Sequence, residues 1–159
     1  MRAPRATAAT FSRSVRICCR PEVVFAFLAD PSTARRIDPA IRSYEPEGGV
    51  MGPGVRNHIR LRMAGIPVQS VSETVQWDPP RKMAFRSVRP SRPVLVEAVH
   101  TFEPSSNGST LYTWHMRFVP VGPAGRVVAP VAAWLFRRNA DAQQVRLRRE
   151  LEPPGCDGV

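Results

Sequence analysis

Apolar and polar positions alternate along most of the chain up to Gly122, and the period changes after it. Phe11, Val15, Ile17 and Cys19 share one parity, against Ser12, Ser14, Arg16 and Cys18 on the other; this predicts a half-buried strand. The clearest alternation spans residues 55–63, where Val55, Asn57, Ile59, Leu61 and Met63 oppose Arg56, His58, Arg60 and Arg62. Further strands are expected at 41–47, 68–77, 82–88, 94–103 and 109–119. In the strand at 68–77, Val71, Glu73, Val75 and Trp77 are expected on one face and Ser70, Ser72, Thr74 and Gln76 on the other. Met83 and Phe85 mark the inward side of the next strand, then Val94, Val96, Ala98, His100 and Phe102, although Leu95 and Val99 sit on the opposite parity. Thr110, Tyr112, Trp114, Met116 and Phe118 form the last such row. Gly48-Gly49, Gly52-Pro53-Gly54, Asp78-Pro79-Pro80-Arg81 and Ser105-Ser106-Asn107-Gly108 supply the turns, and a two-proline loop covers 89–93.

Two short helices interrupt this pattern early. Pro21 and Glu22 suit a first helical turn, and Val23 to Leu28 follow before Asp30-Pro31 stops the helix. Asp30 then caps a second helix over 32–37, which Asp38-Pro39 ends. Beyond Gly122-Pro123 the spacing of Val131, Leu135, Arg138, Ala142 and Val145 predicts one long helix from Ala124 to Leu151, ~42 Å at 1.5 Å per residue. Pro130 should kink its first turns or mark its true start. Six strands joined by short turns form an antiparallel meander, and a sheet apolar on one face needs the long helix as its cover. The class is therefore α+β, with a loose arm at 1–10, one domain at 11–152 and a flexible tail at 153–159.

At 159 residues there is one core to bury, and 43% hydrophobic with 23% charged residues is ordinary for a globular chain. The net charge is +10, and Lys82 is the single lysine among 23 basic residues. No recognition helix or exposed stacking platform accompanies that charge, so no nucleic-acid partner is expected. The arginine row Arg56, Arg60 and Arg62 reads as a solvated strand face. Residues 1–10 carry no apolar signal-peptide core, and the most apolar run, Val127–Phe136, is far short of the ~20 residues that span a bilayer. Cytoplasmic location and no stable membrane insertion are the expectation. Val127–Phe136 is expected to be covered on both sides, with a membrane-surface or homodimer contact as the alternative. Cys18, Cys19 and Cys156 make an odd set that fits a reducing compartment, with Cys18 and Cys19 as ordinary strand residues. His58, His100 and His115 are scattered, so neither a metal nor another cofactor is expected.

Three stretches carry a family resemblance. Arg20 to Pro31 (RPEVVFAFLADP), Asp78 to Arg86 (DPPRKMAFR) and Phe102-Glu103-Pro104 resemble the START-related SRPBCC superfamily, which includes polyketide cyclase/dehydrase-like proteins, over residues 11–152. The resemblance implies a helix-grip fold: a seven-stranded antiparallel sheet wrapped around a long C-terminal helix, with two short helices after the first strand and a deep cavity between sheet and helix. Members of the superfamily bind lipids, sterols, hormones and polyketides, and some are cyclases or co-chaperones.

A cavity wall of that kind is a mostly apolar surface with a few polar groups. The apolar candidates are Ile59, Leu61, Val71, Val75, Phe85, Val96, Trp114 and Met116 on the strands, with Val131 and Leu135 from the helix, whose stripe also brings the charged Arg138 to the expected site. Asn57, Glu73, His100 and Tyr112 are the polar exceptions. Glu73 on an apolar face needs a raised pKa or a partner such as Arg138, and would bind a ligand hydroxyl or act as a base; alternatively it reaches solvent at a strand end. His100 is an acid–base candidate or a core histidine bonded to a neighbour. Tyr112 and Trp114 would stack on a ring or simply fill the core. Asn57 would orient a carbonyl or satisfy a bulge. Glu73, His100 and Tyr112 are the catalytic candidates, and nothing in the spacing brings them within reach of one another. Binding of a small hydrophobic molecule by a carrier or sensor comes first, a polyketide cyclase or dehydratase second, and a protein- or membrane-interaction module third.

Overall fold

The computed structural model describes residues 7–88 and 93–156. Parts of the expected arm (1–6), of the proline loop (89–92) and of the tail (157–159) lie outside the described residues. The order is β1 (Ala9–Ile17), α1 (Pro21–Ala29), a 3-10 turn (Pro31–Thr33), α2 (Ala34–Ile37), β2 (Ile41–Pro46), β3 (Arg56–Met63), β4 (Ile66–Asp78), β5 (Lys82–Ser87), β6 (Val94–Pro104), β7 (Thr110–Pro120) and α3 (Gly122–Leu151). One antiparallel sheet runs β1-β7-β6-β5-β4-β3-β2, so the last strand closes back onto the first. This is the helix-grip arrangement.

Local chemistry explains the joints. Pro21 opens α1, and the Asp30 carboxylate accepts from the Ser32 amide at 2.9 Å to cap the turn after it. The β6–β7 connection needs left-handed backbone, and Asn107 (φ 60°) with Gly108 (φ 71°) provides it. α3 continues through Pro130, which sits on its exposed side.

The solid part of the core lies where α3 packs on β7 and β1. Here the helix presents small residues, Gly125, Ala129, Ala133 and Ala140, all buried. Phe11 meets Trp114 edge-on at 5.5 Å, and Phe118 touches Phe11 and Phe136. A second cluster closes one end: Phe25 of α1 packs against Trp77 at 5.1 Å and Phe102 at 5.2 Å. Each buried aromatic ring of this kind contributes on the order of 2–3 kcal/mol.

Two expectations change here. Val127, Val131 and Trp134 are not covered: they keep 69, 53 and 54% of their surface exposed. From its start through Ala140, α3 buries only glycine and alanine against the sheet, and Val127, Val131 and Trp134 are left outside. Cys18 is not an unpaired strand residue either, because it forms a disulfide with Cys156. The neighbours Cys18 and Cys19 cannot pair comfortably with each other, but the end of α3 brings Cys156 to β1 from 138 positions away. Cys19 stays free, with its Sγ 2.8 Å from the Leu151 carbonyl, and burial and the nearby Glu152 raise its pKa.

Candidate functional site

Away from the β1–β7 contact, sheet and helix stand apart and leave a cavity of about 470 Å³. β3 contributes Ile59, Leu61 and Met63, β5 Met83 and Phe85, and β6 Val96, Ala98 and His100. β7 adds Tyr112, Trp114, Met116 and Phe118. The helix closes it with Val128, Ala132, Phe136, Gln143, Gln144 and Leu147, and α2 with its flanks closes one end through Thr33, Ile37 and Asp38.

Of the residues expected in the wall, Ile59, Leu61, Phe85, Val96, His100, Tyr112, Trp114 and Met116 are there. Val71, Glu73 and Val75 are not, and the cause is a bulge. Thr74 pairs with Phe85 and Gln76 with Ala84, so Val75 is an extra residue on β4 and is 48% exposed. Trp77, after the bulge, points inward as expected. Before it the faces are reversed: Ser70 and Ser72 line the cavity, and Thr74 is 2% exposed. Glu73 stands on the outer face between Arg56 of β3 and Arg86 of β5 in the cross-strand register, far from any role with Arg138. Asn57 has the expected parity but is sealed in, donating from Nδ2 to Thr74 Oγ1 at 3.2 Å and to the Val55 carbonyl. It therefore stabilises the backbone beside the bulge. Val131 and Arg138 face solvent, Arg138 lying over the Trp134 ring at 5.5 Å, and Leu135 is half-buried outside the wall.

His100 and Tyr112 do come together. Nδ1 of His100 lies 2.7 Å from the Tyr112 hydroxyl. The imidazole is stacked with Tyr112 (5.9 Å, 18°) and Trp114 (6.2 Å, 11°) and meets Phe85 edge-on. Burial lowers the pKa of His100 to about 4 and raises that of Tyr112. At neutral pH the pair is an uncharged imidazole bonded to an uncharged phenol. With Tyr112 donating to Nδ1, Nε2 bears the ring proton; with Nδ1–H donating to Tyr112, Nε2 is a base.

A second polar group marks the α2–α3 corner. Asp38 accepts from the Ala40 amide at 2.9 Å and from Gln143 Nε2 at 2.8 Å, and burial raises its pKa against the opposing effects of that amide and of Arg146. Three buried polar atoms of the wall, Ser72 Oγ, Trp114 Nε1 and Gln144 Nε2, have no hydrogen-bond partner among the described residues. Asp38, Gln143 and Gln144 were not foreseen. The Asp38-Pro39 stop marked a helix end in the sequence, and nothing local says that it faces a helix more than a hundred residues away.

The site is thus an apolar hollow between a helix and a sheet, with one neutral acid–base pair in it. A family model described as polyketide cyclase / dehydrase and lipid transport matches residues 8–152. The chain belongs to that family. No curated protein matches the sequence. Among solved structures, this polyketide cyclase/dehydrase-type chain is similar to the Zhui aromatase/cyclase from Streptomyces sp. R1128, with 18% identity, a TM-score of 0.76, and 96% of this chain and 100% of that one covered. It is also similar to a START superfamily protein from Mycobacterium smegmatis, at 12% identity and TM-score 0.70 over 89% and 96% of the two chains. A third is norcoclaurine synthase from Thalictrum flavum, in complex with dopamine and hydroxybenzaldehyde, at 10% identity and TM-score 0.68 over 92% and 87%. At such identities these structures share the fold with this family member, and its own residues must define its chemistry. Among the described residues, no helix is long and apolar enough to cross a membrane.

Proposed function

We propose that this chain holds a small hydrophobic molecule, a lipid, polyketide or aromatic metabolite, between its sheet and α3, as a carrier or sensor that does not transform it. The observation that carries this reading is the cavity itself. An apolar space of about 470 Å³ forfeits packing that side chains would otherwise supply, and ligand pockets typically measure roughly 300–1,000 Å³. The family description includes lipid transport, and norcoclaurine synthase, a fold neighbour, holds two small aromatic molecules, which supports a small-molecule site in this fold.

Native mass spectrometry of freshly purified protein tests the reading by revealing a co-purifying molecule. A thermal-shift panel of lipids and aromatic compounds should raise Tm, since a ligand at 100 times its Kd stabilises by about 2.7 kcal/mol. Ala98→Phe, which pushes a ring into the cavity, should abolish the shift. No shift with any compound, or the same shifts in Ala98→Phe, refutes it.

A second reading, a cyclase- or dehydratase-type enzyme, draws support from the His100–Tyr112 pair. A neutral imidazole is available as a base at pH 7, and the phenol can relay or retain the proton. Turnover of a poly-β-ketone analogue that falls by two orders of magnitude or so in His100→Gln, with binding retained, would favour it over a carrier role.

A further inference from the structure

On a helix advancing about 100° per residue, Val127, Val131, Trp134 and Arg138 fall within about 60° of one another. Gly125, Ala129 and Ala133, which pack on the sheet, lie on the opposite side. The outward stripe is thus apolar along two turns while 69, 53 and 54% of Val127, Val131 and Trp134 remains in solvent. Its charge has one sign: Arg126, Arg137 and Arg138 belong to this half of α3, and its first acidic residue is Asp141, which pairs with Arg13. Arg137 also donates to the Thr10 carbonyl, and Arg138 lies over the Trp134 ring. Val128, the next residue after Val127, is exposed and lines the cavity, which puts it at the rim.

We propose that this face of α3 docks on an anionic lipid bilayer, with Val127, Val131 and Trp134 entering the headgroup–acyl boundary and the three arginines meeting lipid phosphates. Apolar side chains with a tryptophan, flanked by arginine, suit that interface, where an indole sits well and each basic residue gains from the negative surface. A second copy of the chain fits less well. The patch is on the order of 300–400 Å², against roughly 800 Å² per partner in a stable dimer, and pairing would add a +10 chain to another. Docking here would set the cavity rim at the bilayer surface, where an apolar ligand could pass without crossing water. The docking itself does not require the cavity to be occupied, so it can fail or hold independently of the ligand-binding reading.

Co-sedimentation of the full chain with vesicles tests it, using phosphatidylcholine alone and phosphatidylcholine with phosphatidylglycerol. The expected result is partition onto the anionic vesicles, weakened by salt, and about tenfold weaker binding for Val131→Asp. Val50→Asp makes the same charge change at a valine 72% exposed in the β2–β3 connection, and it should bind within about twofold of the parent. No partition at low salt overturns the proposal, and so does an equal loss in both variants, which would mean only general attraction of a basic protein. A dimer in equilibrium sedimentation that Val131→Asp dissolves would assign the face to a second copy and also overturn it.

Discussion

Enclosure of His100 among aromatic rings should make the protein acid-sensitive in a defined window. Its imidazole has an ordinary pKa near 6.5 in the unfolded chain and about 4 in the folded one. Between those values the unfolded state holds more protons, so stability increases with pH across the window. The contribution is complete above about pH 6.5 and is lost as the pH falls toward 4. Linkage with these two values gives a loss of about 2.5 kcal/mol between pH 7.5 and 4.5. Asp38, raised by burial, works in the opposite sense: its contribution is present at low pH and fades as the pH rises. Other carboxylates also titrate near the acid end, so the measurement must be a difference. Urea denaturation followed by circular dichroism at pH 7.5 and 4.5 should be run on the parent and on His100→Gln, which keeps a group able to bond Tyr112 but cannot take the proton. The parent should lose about 2 kcal/mol more than the variant over this range. Equal losses within about 0.5 kcal/mol would show that water reaches the ring freely and that the aromatic enclosure does not control its charge.

Gly125 is a second sensitive point. A Cβ there would stand 2.0 Å from the Pro93 carbonyl oxygen, which already accepts from the Val121 amide, and 3.0 Å from the Pro120 carbonyl carbon. Both obstacles are backbone, so Gly125→Ala should push the start of α3 off β7 and cost roughly 1–3 kcal/mol in denaturation; an unchanged midpoint would show that the contact is looser than this. The Cys18–Cys156 disulfide closes a loop of 138 positions, for which chain entropy sets a ceiling of about 5 kcal/mol. Cys156→Ser should therefore unfold about 2–4 kcal/mol earlier than the oxidised parent, and the difference should vanish in reductant.

The antiparallel meander from β2 to β7 was legible because it depends on short-range facts. Turn residues such as Ser105 to Gly108 force a hairpin, and an eight-residue alternation such as Arg56–Met63 can bury only one of its faces. The wall residues of β3, β5, β6 and β7 followed. On β4 the same alternation misled, because parity carries along a strand only while the ladder is unbroken. Val71, Glu73, Val75 and Trp77 share a parity, yet one inserted residue separates Trp77 from the other three. The sequence held a clue: an inward Glu73 conflicted with its apolar companions, whereas Ser70, Ser72 and Thr74 are short enough to sit beside a cavity. Pairing of Cys18 with Cys156 was beyond any local rule, since it depends on where a thirty-residue helix ends.

The helix misled for a reason that also explains the cavity. The expected stripe of Val131, Leu135, Arg138, Ala142 and Val145 is not the buried one: α3 buries Gly125, Ala129, Ala133 and Ala140 and, beyond them, Gln143, Gln144 and Leu147. Small residues let α3 press against β7 and β1, and that close approach fixes the helix at one side of the sheet. The strands β3 to β5 then have no helix side chains close enough to fill the space before them. Larger residues at 129 and 133 would lift α3 away from β7 and β1, so the Phe11, Trp114 and Phe118 contacts beneath it would loosen. The hollow over β3 to β5 and the tight seam over β1 and β7 are therefore two consequences of one choice of side-chain size. The valines and Trp134 left outside are its third consequence, and they give α3 an apolar surface on the side where packing no longer needs one.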